Sequence, residues 1–176
     1  MIRKKSKKDT ATARTVMNKI KEHTLSDTDR VFIATAREIL ANEKVQQMKQ
    51  YIQHGDITTY DHCIMVCLYA YMYAKKLKLD IDVKALVKGA LLHDFFLYDW
   101  HKSAFTPDGL HGFSHPVTAE RNARNNFALS EKERKIIKNH MWPLTLTRIP
   151  TSTEGWLICW ADKYCSLKET LMKKPY

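Results

Sequence analysis

Glycine and proline are scarce, with five of each in 176 residues, while hydrophobic residues make up 44% of the chain. With no internal repeat, low-complexity stretch or composition break, that balance excludes a linker-like polymer and leaves one globular domain able to bury a core. Long apolar runs are missing as well. The longest, Cys63 to Ala74, is twelve residues, short of the ~18 needed to span a membrane, and reads as a buried helix. The four cysteines lack zinc-ribbon spacing, with Cys63 and Cys67 four apart and Cys159 and Cys165 six apart. No apolar segment follows the basic N-terminus, so a secretion signal is not expected. A cytoplasmic protein with reduced, buried thiols is the expectation.

Acids are missing from the first eight residues, which carry five of the ten net positive charges. Residues 1–8 read as a flexible basic tail, and the net charge without it is +5. A nucleic-acid footprint needs a basic face, which a tail does not supply, so nucleic acid is disfavoured as a partner. A moderately basic body suits a cleft that attracts phosphorylated small molecules, nucleotides among them.

Strand signals are nearly absent, and the periodicity predicts an all-α domain of about seven helices over residues 9–176. A polar helix is expected at 9–23, with Asp9 or Thr10 as cap and Val16, Met17 and Ile20 on one face. Ser26-Asp27 opens an amphipathic helix to about Asn42, and a short helix is expected from Lys44 to Ile52. His54-Gly55-Asp56 breaks the chain. Thr58-Thr59 caps a helix to about Lys76 with His62 in its first turn. Leu79-Asp80-Ile81-Asp82 is a turn with an Asp cap for the next, an apolar helix ending at or just after His93-Asp94. Residues 97–114 read as loop, around Pro107, Gly109 and Gly112. Pro116 suits the first turn of a helix opened by Ser114-His115. Ser130 and Glu133 form a capping box for a helix reaching His140, which Trp142-Pro143 stops. Thr151 to Glu154 begin the last helix, which holds Asp162.

An imidazole and a carboxylate at the deep end of a helix as apolar as Ala85–Leu92 are costly unless something compensates them. Either a hydrogen-bonded pair or a metal ion would do so. His62, His93, His115 and His140 all fall at helix ends or first turns, and Asp94 and Asp162 lie in the most apolar helical sequence. Each interval between them is about one helix plus one connection, so successive helices can deliver each side chain to one point. His23 and His54 read as surface or turn residues. Imidazole and carboxylate without thiolate suit Fe, Mn, Co, Ni, Zn or Mg.

The series His62…His93-Asp94…Asp162 resembles the signature of the HD superfamily of metal-dependent phosphohydrolases over roughly residues 54–170. The resemblance implies that these four residues hold one divalent ion. Members with two further histidines hold a second ion, with the Asp of the pair as bridge. His115 and His140 match those positions, with His111 as a competitor for the former. Two branch signatures are absent. Leu97 stands where one nucleotidase branch has a Glu, and there is no Gly-Tyr-Pro.

The resemblance implies hydrolysis of a phosphate monoester or diester by a metal-activated water, with Asp94 central. Lys102, Arg121 and Lys163 are the candidate phosphate-binding cations, and Lys163 directly follows Asp162. His111 or Asp99 would protonate the leaving oxygen. Trp100 and Trp142 are placed to line a pocket, Trp142 as a substrate contact, whereas Trp156 and Trp160 are expected in the core. Two alternatives share these residues: a di-iron oxygenase of the same superfamily, and a non-catalytic helical binding or regulatory module.

Overall fold

The computed structural model describes residues 25–102, 105–106 and 109–171. The expected basic tail, the 9–23 helix with its cap and apolar face, His23 and Pro107 lie outside the described residues. Seven α-helices follow one another among those described: α1 (Asp27–Leu40), α2 (Glu43–Gln46), α3 (Thr59–Lys76), α4 (Val83–Leu92), α5 (His111–Asn126), α6 (Glu131–Asn139) and α7 (Thr153–Leu171). Two small antiparallel pairs interrupt them, β1 (Ile52–His54) with β2 (Ile57–Thr58) and β3 (Phe105–Thr106) with β4 (Gly109–Leu110). The fold is all-α in character, and no described helix is long and apolar enough to cross a membrane.

Side chains at the helix starts explain where most of the helices begin. Ser26 and Asp29 form a capping box on α1, and Ser130 and Glu133 form one on α6. Asn42, Thr58 and Asp82 cap α2, α3 and α4. Each such bond satisfies an orphan N–H and stabilises by about 1 kcal/mol.

Helix α4 is the centre of the molecule. Eight of its ten residues are buried, and α1, α3, α5, α6 and α7 pack around it. Gly89 makes that density possible. A Cβ there would lie 2.5 Å from Ile136 Cγ2 of α6 and 3.1 Å from Ile158 Cδ1 of α7. Lys88 stays solvated by running its stem outward, and its Nζ donates to the Ala128 carbonyl at 2.9 Å.

The structure departs from the sequence reading in four places. The Lys44–Ile52 helix stops as a 3-10 turn at Gln50, and Ile52 begins β1 instead. The 97–114 stretch is not all loop, because β3, β4 and the first turn of α5 lie within it. Helix α5 starts at His111, so Pro116 is inside it and not in its first turn. The residue before it, Leu110, offers no side-chain cap to announce the start. Trp156 and Trp160 are not core residues, being 43% and 41% exposed. The four thiols are free and buried.

Candidate metal centre

Five helices deliver six polar side chains to one buried point. His62 sits in the first turn of α3, and His93 and Asp94 at the end of α4. His115 is in the second turn of α5, His140 directly follows α6, and Asp162 is midway along α7. All six are at least 93% buried. A carboxylate pair and four imidazoles would not be stable there without mutual compensation.

The histidines are oriented alike. Nδ1 of His93, His115 and His140 donates to the carbonyls of Ala90, His111 and Ile137, at 2.7, 2.8 and 2.7 Å. His62 Nδ1 donates to Glu169 Oε2 at 2.9 Å. With Nδ1 occupied outward, every Nε2 is turned inward, as metal-binding histidines are commonly held.

Asp94 divides the inward-facing atoms into two groups. Its Oδ2 lies 3.4 Å from His93 Nε2 and 3.9 Å from His62 Nε2. Asp162 Oδ1 closes that group, 3.2 Å from His62 Nε2 and 3.7 Å from His93 Nε2. Asp94 Oδ1 faces the other way, 3.2 Å from His115 Nε2 and 3.6 Å from His140 Nε2. Two ligand groups able to hold an ion result: His62, His93 and Asp94, and Asp94, His115 and His140.

Several atoms here lack what a cation would supply. His93 Nε2 and Asp94 Oδ1 are buried without a hydrogen-bond partner. Nε2 of His115 and of His140 lie 3.0 Å apart, and with both Nδ1 atoms donating they present two lone pairs to each other. A proton or a metal ion resolves that contact, and the donor set fits a divalent transition metal.

The imidazoles and carboxylates also shift one another's protonation. Burial pulls the His62 pKa down, but hydrogen bonds to Asp162 and Glu169 more than reverse it, to about 10. Burial likewise opposes the rise of His93, which Asp94 and Cys63 drive. Burial also works against ionisation of Asp94 and Asp162, yet the surrounding imidazoles hold both well below the usual carboxylate range. His140 goes the other way, down to about 3, through burial and then the charge of His93.

The remaining candidates separate. His111 is half-buried over the second group, its ring stacked 4.6 Å from that of His115, and its Nδ1 is 2.8 Å from the Tyr98 hydroxyl. Burial, reinforced by His115, lowers its pKa to about 4. It is therefore neutral near pH 7, a hydrogen-bonding group and not a ready proton source. Lys163 Nζ donates to the carbonyls of His140 and Cys159 at 3.0 and 3.3 Å and lies 3.8 Å from Asp162 Oδ2. It is the one cation of the three beside the centre. Lys102 is on the surface, 3.5 Å from Asp99, and Arg121 is exposed on α5. Asp99 also accepts from the His101 N–H. The Trp142 ring packs edge-on against Trp156, centroids 5.0 Å apart. Trp100 stacks on His111 at 5.0 Å, with the planes 3° apart.

Sequence reasoning missed the groups that steady these six. Gln53 Nε2 donates to Asp94 Oδ2 at 2.6 Å, and its Oε1 accepts from Thr59 at 3.2 Å. Asn122 Nδ2 donates to the carbonyls of Phe95 and Phe96, pinning the chain after Asp94. Leu97, which follows, has φ 60°, a left-handed conformation that costs a non-glycine residue about 1–2 kcal/mol. His54 is no ordinary turn residue. It is half-buried in β1, with its ring 5.9 Å from that of His62. Glu169 alone carried a readable signal, lying two helical turns beyond Asp162 on the same face of α7.

A family model described as HD domain matches residues 59–167. No curated protein and no solved structure matches the chain.

Proposed function

The chain belongs to the HD domain family, a group of metal-dependent hydrolases, and from that premise we propose that it hydrolyses a phosphate ester at a centre of two divalent ions. The observation that carries this reading is the division of Asp94, with one oxygen toward His62, His93 and Asp162 and the other toward His115 and His140. A single-ion site has no use for the second pair of histidines. Fe, Mn, Co, Ni, Zn and Mg all accept such donors.

Divalent ions bound there would supply Lewis-acid chemistry, lowering the pKa of water and neutralising phosphate charge. The chain does the rest. Glu169 and three backbone carbonyls fix the rotation of the histidine rings, and Gln53 holds the Asp94 carboxylate. Lys163, anchored on the His140 carbonyl beside Asp162, is the cation available to a phosphate oxygen. His111 and Trp100 form a flat wall over the His115 side and serve as positioning groups. The rigidity of this arrangement matters because phosphate transfer depends mainly on orientation and charge.

Elemental analysis of the purified protein, then a phosphatase panel led by nucleotides, tests the reading. About two ions per chain and EDTA-sensitive phosphate release, both lost in Asp94→Ala, are expected. A fully loaded protein silent on every phosphate ester but consuming dioxygen would replace hydrolysis with oxidation.

A further inference from the structure

Helix α7 has two faces of different use. One buries Leu157, Ile158, Ala161, Asp162 and Cys165 against the core. The other exposes Trp156, Trp160, Tyr164, Leu167 and Leu171, by between 41% and 71%. Those five follow spacings of four, four, three and four, a narrow stripe of the kind that packs against another helix. On α3 and at the residue that follows it, the stripe widens to Met72, Tyr73 and Leu77, 38% to 54% exposed. Tyr73 lies 4.5 Å from Trp160 between ring centroids, and Trp160 stacks on Tyr164 at 5.4 Å with planes 13° apart.

The surface is apolar at its middle and basic only at its rim. From Cys63 to Lys76, α3 carries no acid. The only acids of α7 beyond its first turn, Asp162 and Glu169, turn inward to His62. Lys168 is drawn aside to the Tyr69 hydroxyl at 3.1 Å, and Lys163 reaches away from the stripe, to the His140 carbonyl beside the metal centre. A nucleic-acid platform would need free cations along the stripe, between the rings. The eight exposed side chains together present roughly 800 Å², the area each partner buries in a standard-size interface. Trp, Tyr and Met are the residues enriched at interface centres, and homodimer interfaces are the most apolar of them.

We propose that the outer face of α3 and α7 is the two-fold interface of a homodimer centred on Trp160. Each copy presents the same stripe to the other, so one patch is self-complementary. The helices joined this way are those that carry His62, Asp162 and Glu169, so the contact backs the wall of the first ligand group.

Sedimentation and light scattering of the full chain at tens of micromolar test it, on wild type, Trp160→Glu and Leu167→Glu. Wild type should run at twice its 20.6 kDa. Both variants should run as monomers with an unchanged helical circular dichroism spectrum. Leu146→Glu, at a residue 73% exposed in the 141–150 loop, should stay dimeric. If Trp160→Glu unfolds, Leu167→Glu at the edge of the stripe still decides. A monomeric wild type overturns the proposal, as does a dimer that survives both substitutions. So does a monomer that begins to self-associate when residues 1–24 are deleted, since that segment would then be the natural cover. Binding of a single-stranded oligonucleotide by a monomer, with Trp160 quenching, would also overturn it.

Discussion

The two halves of the centre share Asp94 and differ in almost everything else. The half at Oδ2 has a second carboxylate, Asp162, and its His62 is anchored by a third, Glu169. It is built from α3, α4 and α7. The half at Oδ1 has two histidines held only by backbone carbonyls, and it is built from α5 and α6 beside the aromatic wall of Trp100 and His111. Three negative charges against one, with the bridge counted in both, should make the first half the tighter site for a divalent ion. The second is the half that the stacked rings of His111 and Trp100 cover.

Replacing Asp94 would break the comparison outright. Asp94→Ala removes the carboxylate both halves share, and the metal content should fall from about two per chain to near zero, with activity lost. A less severe pair of changes should separate the halves. His115→Ala should leave about one tightly held ion, and Asp162→Asn should leave a protein whose remaining metal is stripped by mild chelation. Equal retention in the two variants would refute the ranking. Glu169→Gln tests the anchor alone, since it keeps shape and removes charge. Loss of such a supporting partner lowers metal affinity about 10–100-fold, here in the first half only, measured by competition with a chromophoric chelator.

Gly89 lies one turn before His93 on α4, against Ile136 of α6 and Ile158 of α7. Gly89→Val should destabilise the fold by about 2–3 kcal/mol through overpacking, read as a fall in denaturant midpoint, and loosen both ions together. The smallest effect expected is in acid. Burial opposes ionisation of Asp29 and Glu154, but Lys75, Ser26 and Tyr71 lower the pKa of the first, and Lys132 and the Asp82 N–H that of the second. Depressed carboxylate pKa values stabilise the fold fully above the unfolded values near ~4, and that stability is lost as pH falls through the folded ones. Metal-free protein should therefore lose melting temperature below about pH 4. Asp29→Asn should flatten part of that slope without touching either half.

How much of this could be read in advance depended on whether the cause was local. The caps at Ser26, Thr58, Asp82 and Ser130 are short-range chemistry, and the helices begin where those residues stand. The start of α5 carried no such mark, so Pro116 misled, placing the start at Ser114, three residues late. Gln53 was invisible for a different reason. Its partner is 41 residues away, and nothing in a three-residue strand announces that a carboxylate will arrive beside it. The tryptophans of α7 failed for a third reason. A helix apolar on several sides does not declare which side faces inward, and Asp162, turned to the centre, put Trp156 and Trp160 on the outside.

His62 and Asp162 meet although 100 residues separate them. An ion held by both would act on the unfolded chain as a staple does, closing a loop of that length. Such a closure removes chain entropy worth on the order of 4 kcal/mol in the manner of a long-range disulfide. Metal would then set how stable the fold is, and stripping it should lower the denaturant midpoint.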